Sequence, residues 1–348
     1  MADYLTDRYH SKKMSGVLGV MMLFFLVPMM GAQIIGAGVI VHVFTGLPEW
    51  VGVVGMGIIV ILYCMSGGMK GAMMTDVIQG SLMIATAVVT FIVSVVMGGG
   101  FSNINHTLQS MNEAYLTFPG ANGYMPWTYY VSNIVLWSFF TMGQPHLFTK
   151  FFAMKDHKTM FKAILLGTAG MFFSATLIEW AGVNGIASIQ NIEKADQIIP
   201  MILQRGMNPF LASIFIAGIV AAVDALMTQL DRLGADDTLV LAGSIPASMP
   251  DDIYQKIINK DATDETVMKL SKVVTVIIGI IVICFGVFQP GSIFEINLFA
   301  FSGMAIFVVP ILFGIYWKKA TAKGAIASVI VGIISLLLFT LNPSVKAL

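Results

Sequence analysis

Long apolar runs separated by short polar stretches make up most of this chain. Nine of them are long enough to be membrane-spanning helices, measured against the roughly 20 apolar residues that a bilayer core requires. They lie at 14–44, 50–66, 74–97, 127–147, 162–184, 208–233, 271–289, 295–316 and 324–341. The first is long enough to tilt or to extend past the bilayer, and the second is short and punctuated by glycine. Residues 98–126 contain GGG at 98–100, then Pro119, Gly120 and Pro126, and predict a long polar loop. Trp127, Tyr129 and Tyr130 then predict an aromatic belt where the fourth span enters the bilayer. Residues 246–270 predict a second long loop, with a short surface helix in the charged stretch Asp251 to Lys272. No part of the chain larger than a loop is expected to fold in water.

Composition strengthens this reading. The 348 residues are 57% hydrophobic and 11% charged, whereas a soluble domain carries about 25% charged residues. Glycine is frequent at 34 residues, as in membrane helices whose backbones approach closely. The formal net charge is zero, which gives no basic surface for nucleic acid. Cys64 and Cys284 lie inside apolar runs and read as small apolar fillers, with no disulfide framework and no metal site. The polar start, Met1 to Lys13, leads into an apolar run far longer than a signal-peptide core.

The cations set an orientation. If the nine spans alternate, 15 of the 19 Lys and Arg fall on one side, from Arg8 to Lys323, and only Lys194, Arg205 and Lys346 on the other, with Arg232 in or near a span. The positive-inside rule makes the first side, and the N-terminus, cytoplasmic.

Ionisable and amide side chains inside spans are costly and therefore informative. Thr75 and Asp76 open the third span and offer hard oxygen donors for Na⁺ or H⁺, although an acid at a helix N-terminus is also favoured by the helix dipole. Gln33 lies in the middle of the first span among Pro28, Gly31, Gly36 and Gly38, and either binds solute or bonds a neighbouring helix. Gln144, Pro145 and His146 end the fourth span, where proline frees carbonyls that can line a polar cavity. Asn297 and Ser302 open the eighth and face either a pathway or an interhelical contact. The sixth run carries Asp224, Asp231, Arg232, Asp236 and Asp237, so it either re-enters or lines a wet cavity. HExxH, GxSxG, Walker A and CxxC motifs are absent, and the five histidines are scattered, so an enzyme is not expected.

Several segments resemble the sodium:solute symporter family: ADYLTDRYHSK at 2–12, AQIIGAG at 32–38, GGMKGAMMTDVIQGSLM at 67–83, GQPHLFTKFFAMKD at 143–156, DDIYQKIIN at 251–259 and INLFAFSGMAIFVVPILFGIYWKKATAKGA at 296–325. The last stretch and GQPH look most like the pantothenate branch. The resemblance implies an all-α, LeuT-like inverted-repeat transporter in a single transmembrane domain over 1–348, with about nine helices. It also implies Na⁺-coupled symport of a small organic solute, pantothenate-like or another carboxylate or amino acid, across the bacterial inner membrane. The Asp of the family's TD motif matches Asp76. The Ser/Thr pair expected after AAV at 221–223 is replaced by Asp224 and Ala225, and sliding the register offers Thr228 or Thr238 as cation ligands. Because ADYL…RY follows core helix 2 in this family, the chain is expected to lack core helices 1 and 2. The implied partners are the solute, Na⁺, the bilayer and N-terminal helices supplied elsewhere. The alternative is a non-transporting scaffold or sensor fragment of such a symporter.

Overall fold

The computed structural model describes residues 8–66, 69–120, 123, 126–144, 154–217 and 264–341. Among them there is no strand. The helices are α1 (Lys12–Thr45), α2 (Glu49–Ser66), α3 (Met69–Met97), α4 (Phe101–Met111), α5 (Trp127–Phe139), α6 (His157–Ser188), α7 (Ile198–Gly206), α8 (Asp264–Phe288), α9 (Ile293–Ala305), α10 (Val308–Tyr316) and α11 (Ala322–Leu341), with a further helical segment at 209–217. Most of the apolar runs read from the sequence fall on these helices where the residues are described, with the departures noted below.

α1 is the central rod: from Phe24 to Thr45 it is apolar and mostly buried in protein, with Phe24 itself exposed. Phe25, Leu26, Met29 and Met30 of α1 are buried together with Val53 and Val60 of α2, Ile278 and Val282 of α8, Ala300 and Met304 of α9, and Val329 of α11. α1 ends at Gly46, whose φ of 73° places it in the left-handed region and whose N–H bonds His42 O at 2.8 Å. That is a helix stop glycine makes without strain. The chain turns back into α2, and the two helices cross closely. A methyl at Gly52 would come 2.9 Å from the Gly38 Cα, so the backbones touch only because both positions lack side chains.

α9 runs antiparallel to α1. Gly303 of α9 lies under the Phe25 ring, while Gly36 of α1 faces Ile293 at the other end of the crossing. The eighth apolar run is one span, Ile293–Tyr316, with a break inside it. α9 stops at Ala305 and α10 starts at Val308, with Phe307 N–H reaching back to Met304 O at 3.1 Å. Pro310 is the physical reason: it has no N–H for the Ile306 carbonyl, and its ring crowds that carbonyl.

A second packing unit joins α3 to α6 along Thr86, Thr90, Ser94 and Asn184, all buried. Asn184 Nδ2 donates to Ser94 Oγ at 3.0 Å, and Thr86 Oγ1 donates to Phe215 O at 3.3 Å. The Thr90 hydroxyl between them is buried without a partner among the described residues. The other faces of α6 point outward, with Phe161, Leu166, Phe172 and Phe173 exposed, as expected of a helix in contact with lipid.

The stretch expected to be one long loop contains a helix. In α4 only Ile104 and Leu108 are buried, one turn apart. This short amphipathic helix lies across the bundle end, too polar to span it. α5 is shorter than the expected 127–147: it passes at Phe140–Gly143 into a tight 3₁₀ turn. The surface helix expected between Asp251 and Lys272 falls mostly outside the described residues, and 264–272 belong to α8.

Candidate functional site

Two ends of the bundle are well defined. At one, Arg8 Nε and Nη2 donate to Gly314 O (2.5 Å) and Trp317 O (2.9 Å), and Tyr9 OH donates to Pro310 O (2.7 Å). A cation thus sits on the free carbonyls that close α10, where the helix dipole favours it. At the other end, Lys194 Nζ lies 2.7 Å from Glu49 Oε2 and 3.4 Å from Gln289 Oε1. Asp196 Oδ2 accepts from Ile293 N–H at 3.2 Å, at the start of α9. The same turn is closed by a capping box, Ser292 with Glu295. Gln204 Nε2 donates to Val43 O at 2.5 Å. The segment 189–206 is therefore strapped across the ends of α1, α2, α8 and α9. Glu49 stands one residue ahead of the apolar run 50–66. Burial raises its pKa, but the bonds from Lys194 and Gln289 outweigh burial and hold the carboxyl below its ordinary value.

Between these ends lie the polar residues singled out in the sequence. Interpolating between the Phe25–Gly303 and Gly36–Ile293 contacts puts Gln33 of α1 level with Asn297 of α9. Gln33 is half-buried. The Asn297 side-chain oxygen is fully buried and has no hydrogen-bond partner among the described residues. Such a group costs about 1–3 kcal/mol unless something pairs with it.

Gln144, also buried, is held against the other end of α9. The 3₁₀ turn before it is fixed there by ring contacts of Phe140 with Phe301 (4.5 Å) and Trp137 (5.2 Å). Gly143 lies so close to the Met304 carbonyl that no side chain fits. Asn297 and Met304 are seven residues apart, hence on one helix face and about 10 Å apart along the axis. Asn297 and Gln144 thus mark two levels of one α9 face, and Gln33 lies at the level of Asn297. Ser302, five residues from Asn297, is turned about 140° away from it and is half-buried elsewhere.

Thr75 and Asp76 lie on α3, six and seven residues beyond Met69, and the first turn from Met69 holds no acid. His146, Thr228 and Thr238 lie outside the described residues. So do the charged positions of the sixth run, from Asp224 to Asp237. Sequence reasoning missed the Lys194–Glu49 strap and the Thr86–Thr90–Ser94 seam. The seam had a readable signal in hydroxyls spaced four apart on one span.

The family model of the sodium:solute symporter family matches residues 1–332. The sodium/pantothenate symporter of Escherichia coli (strain K12) is 31% identical over 343 residues, covering 98% of this chain and 69% of that protein. The Haemophilus influenzae sodium/pantothenate symporter is 29% identical, covering 97% and 68%. The osmoregulated proline transporter OpuE of Bacillus subtilis is 23% identical, covering 97% and 67%. A solved Na⁺-coupled sialic acid symporter, in a substrate-bound outward-open state, superposes with a TM-score of 0.67 at 16% identity, over 97% of this chain and 77% of that one. The fold is therefore the LeuT-like one. The chain belongs to the sodium:solute symporter family: it is a multi-pass, all-α membrane transporter coupled to Na⁺, and not an enzyme.

Proposed function

We propose that this chain, as a single transmembrane domain over 1–348, carries pantothenate or a carboxylate or amino acid of similar size into the cell across the bacterial inner membrane, with Na⁺ moving in the same direction. The observation that carries the siting of the solute is the buried, unpaired Asn297 oxygen at the α1–α9 crossing. A group left unpaired in the folded chain is ready to accept a bond from a solute hydroxyl or amide, and pantothenate offers both. Gln33 at the same level and Gln144 two turns along would hold the rest of the solute. His146 and Ser302 remain candidates for its other contacts.

Asp76 and Thr75 are the proposed cation ligands, with Thr228 or Thr238 completing the set. The identity to the two pantothenate symporters over nearly the whole chain supports this choice of solute. The Arg8 end is assigned to the cytoplasm, because nearly all cations fall on that side. The Na⁺ gradient and the membrane potential then drive uptake, the potential supplying about 2.3 kcal/mol per charge per 100 mV.

The test is uptake of labelled pantothenate into vesicles containing this chain, alone and together with the N-terminal helices the resemblance implies, with and without a Na⁺ gradient, and with proline and a sugar in parallel. Na⁺-dependent pantothenate uptake that Asp76→Ala abolishes is the expected result. Preference for proline or the sugar would overturn the choice of solute.

A further inference from the structure

We infer that the α10–α11 turn is a docking site for the headgroup of an anionic phospholipid. The turn carries Lys318, Lys319 and Lys323, all exposed. Arg8 already takes two carbonyls at the end of α10, those of Gly314 and Trp317. None of the three lysines makes a hydrogen bond there among the described residues. Among the described residues none of them is in an ion pair, and the first turn of α11 holds no acid. Three like charges within six residues, with no counter-charge among the described residues, repel one another until something supplies it.

The neighbouring residues specify what supplies it. Tyr316 and Trp317 directly precede the lysines and are 81% and 53% exposed, and Phe313, 50% exposed, packs edge-on against Trp317 at 5.6 Å. Val309, one turn further back, also faces outward. The outward side of α10 is thus an apolar and aromatic stripe that ends in three cations. Amphipathic rings belong at the headgroup level of a bilayer, and lysines near that surface attract anionic lipid. An acyl chain along Val309 and Phe313, with the phosphate at Lys318, Lys319 and Lys323, matches both parts in order. The occupant is an anionic phospholipid such as phosphatidylglycerol. A zwitterionic lipid carries its own cation beside the phosphate and gains less.

Each lysine at a charged lipid surface strengthens binding by about fivefold. The test uses the full chain purified in a neutral detergent and titrated with phosphatidylglycerol or phosphatidylcholine, with bound lipid counted by native mass spectrometry. The triple variant K318Q/K319Q/K323Q is expected to weaken phosphatidylglycerol binding by at least about tenfold and to leave phosphatidylcholine unchanged. The control K155Q/K158Q/K162Q removes three exposed lysines near the start of α6 and is expected to change neither. Quenching by a brominated phosphatidylglycerol should fall when Trp317→Phe removes the reporter ring. Equal losses in both triple variants would mean diffuse charge rather than a site and would overturn the inference. So would equal binding of the two lipids, or displacement of the lipid by millimolar inorganic phosphate.

Discussion

Lys194 and Glu49 meet at 2.7 Å although 145 residues separate them, and their pairing fastens the segment 189–206 to the start of α2. The Lys194 side chain is half exposed at 49%, so the pair contributes at most about 1 kcal/mol. Lys194→Met is expected to lower the unfolding temperature by no more than a few degrees. Its larger effect is on access: a cysteine placed at Glu193 should react faster with a water-soluble maleimide once the strap loosens. An unchanged labelling rate would mean that the segment is held by Asp196 and Gln204 alone.

The unpaired Asn297 oxygen makes opposite predictions for binding and for stability. Asn297→Leu removes the bond offered to the solute, so KM for uptake should rise about fivefold to tenfold. The same change removes a buried polar group without a partner, so the solute-free protein should be as stable as before or more stable. Measuring uptake and thermal unfolding on one preparation separates the two. A loss of stability would show that the amide is bonded within the fold.

Thr90 sits in the α3–α6 seam with its hydroxyl buried and unpaired among the described residues. Thr90→Val keeps the shape and removes the polar atom, so unfolding in detergent should shift slightly upward. Ser94→Ala removes the acceptor of Asn184 Nδ2, and should cost about 1–3 kcal/mol. If the two variants behave alike, the seam is not the ordered hydrogen-bonded contact described here.

Asp156 caps α6, with its carboxylate accepting from Thr159 N–H at 2.7 Å. That backbone bond holds the carboxyl below its ordinary value of 3.8. A lowered pKa in the folded state means the cap is at full strength above pH 3.8 and is lost as pH falls through the folded value. Unfolding followed from pH 6 to pH 3, both taken as approximate limits, should show a decline that Asp156→Ala removes in that range. A variant with the same acid profile as the parent would assign the decline to other carboxylates.

The spans were legible because lipid imposes a simple rule: a helix that crosses it must be long and apolar, and 14–44, 74–97 and 324–341 satisfy that rule by themselves. The division of cations between the two ends was legible for a related reason. Arg8 does lie at the same end as Gly314 and Trp317, and Lys194 at the end with Glu49 and Gln289. α4 was missed because a helix lying on the bundle end needs only two buried residues, Ile104 and Leu108, too few to make a pattern. The break after Ala305 could have been read from Pro310. The functional pairing could not. Gln33 and Asn297 were each visible as costly amides in an apolar run, but their common level depends on the antiparallel crossing of α1 and α9, which is a tertiary fact.

α1 and α6 are both long apolar helices, but one is mostly buried in protein and the other mostly faces outward. On the outward faces of α6, one oily side chain is as good as another, because lipid tails rearrange around any shape. The buried faces of α1 are fitted surfaces, and at Gly31 and Gly38 even one added carbon meets a neighbour. A saturating substitution scan should therefore give two different profiles from two helices of similar composition. Outside its contact with α3 and α7, α6 would tolerate any exchange among apolar residues and reject charge. α1 would reject changes of size as strictly as changes of polarity, and it would be the part of the chain least free to drift.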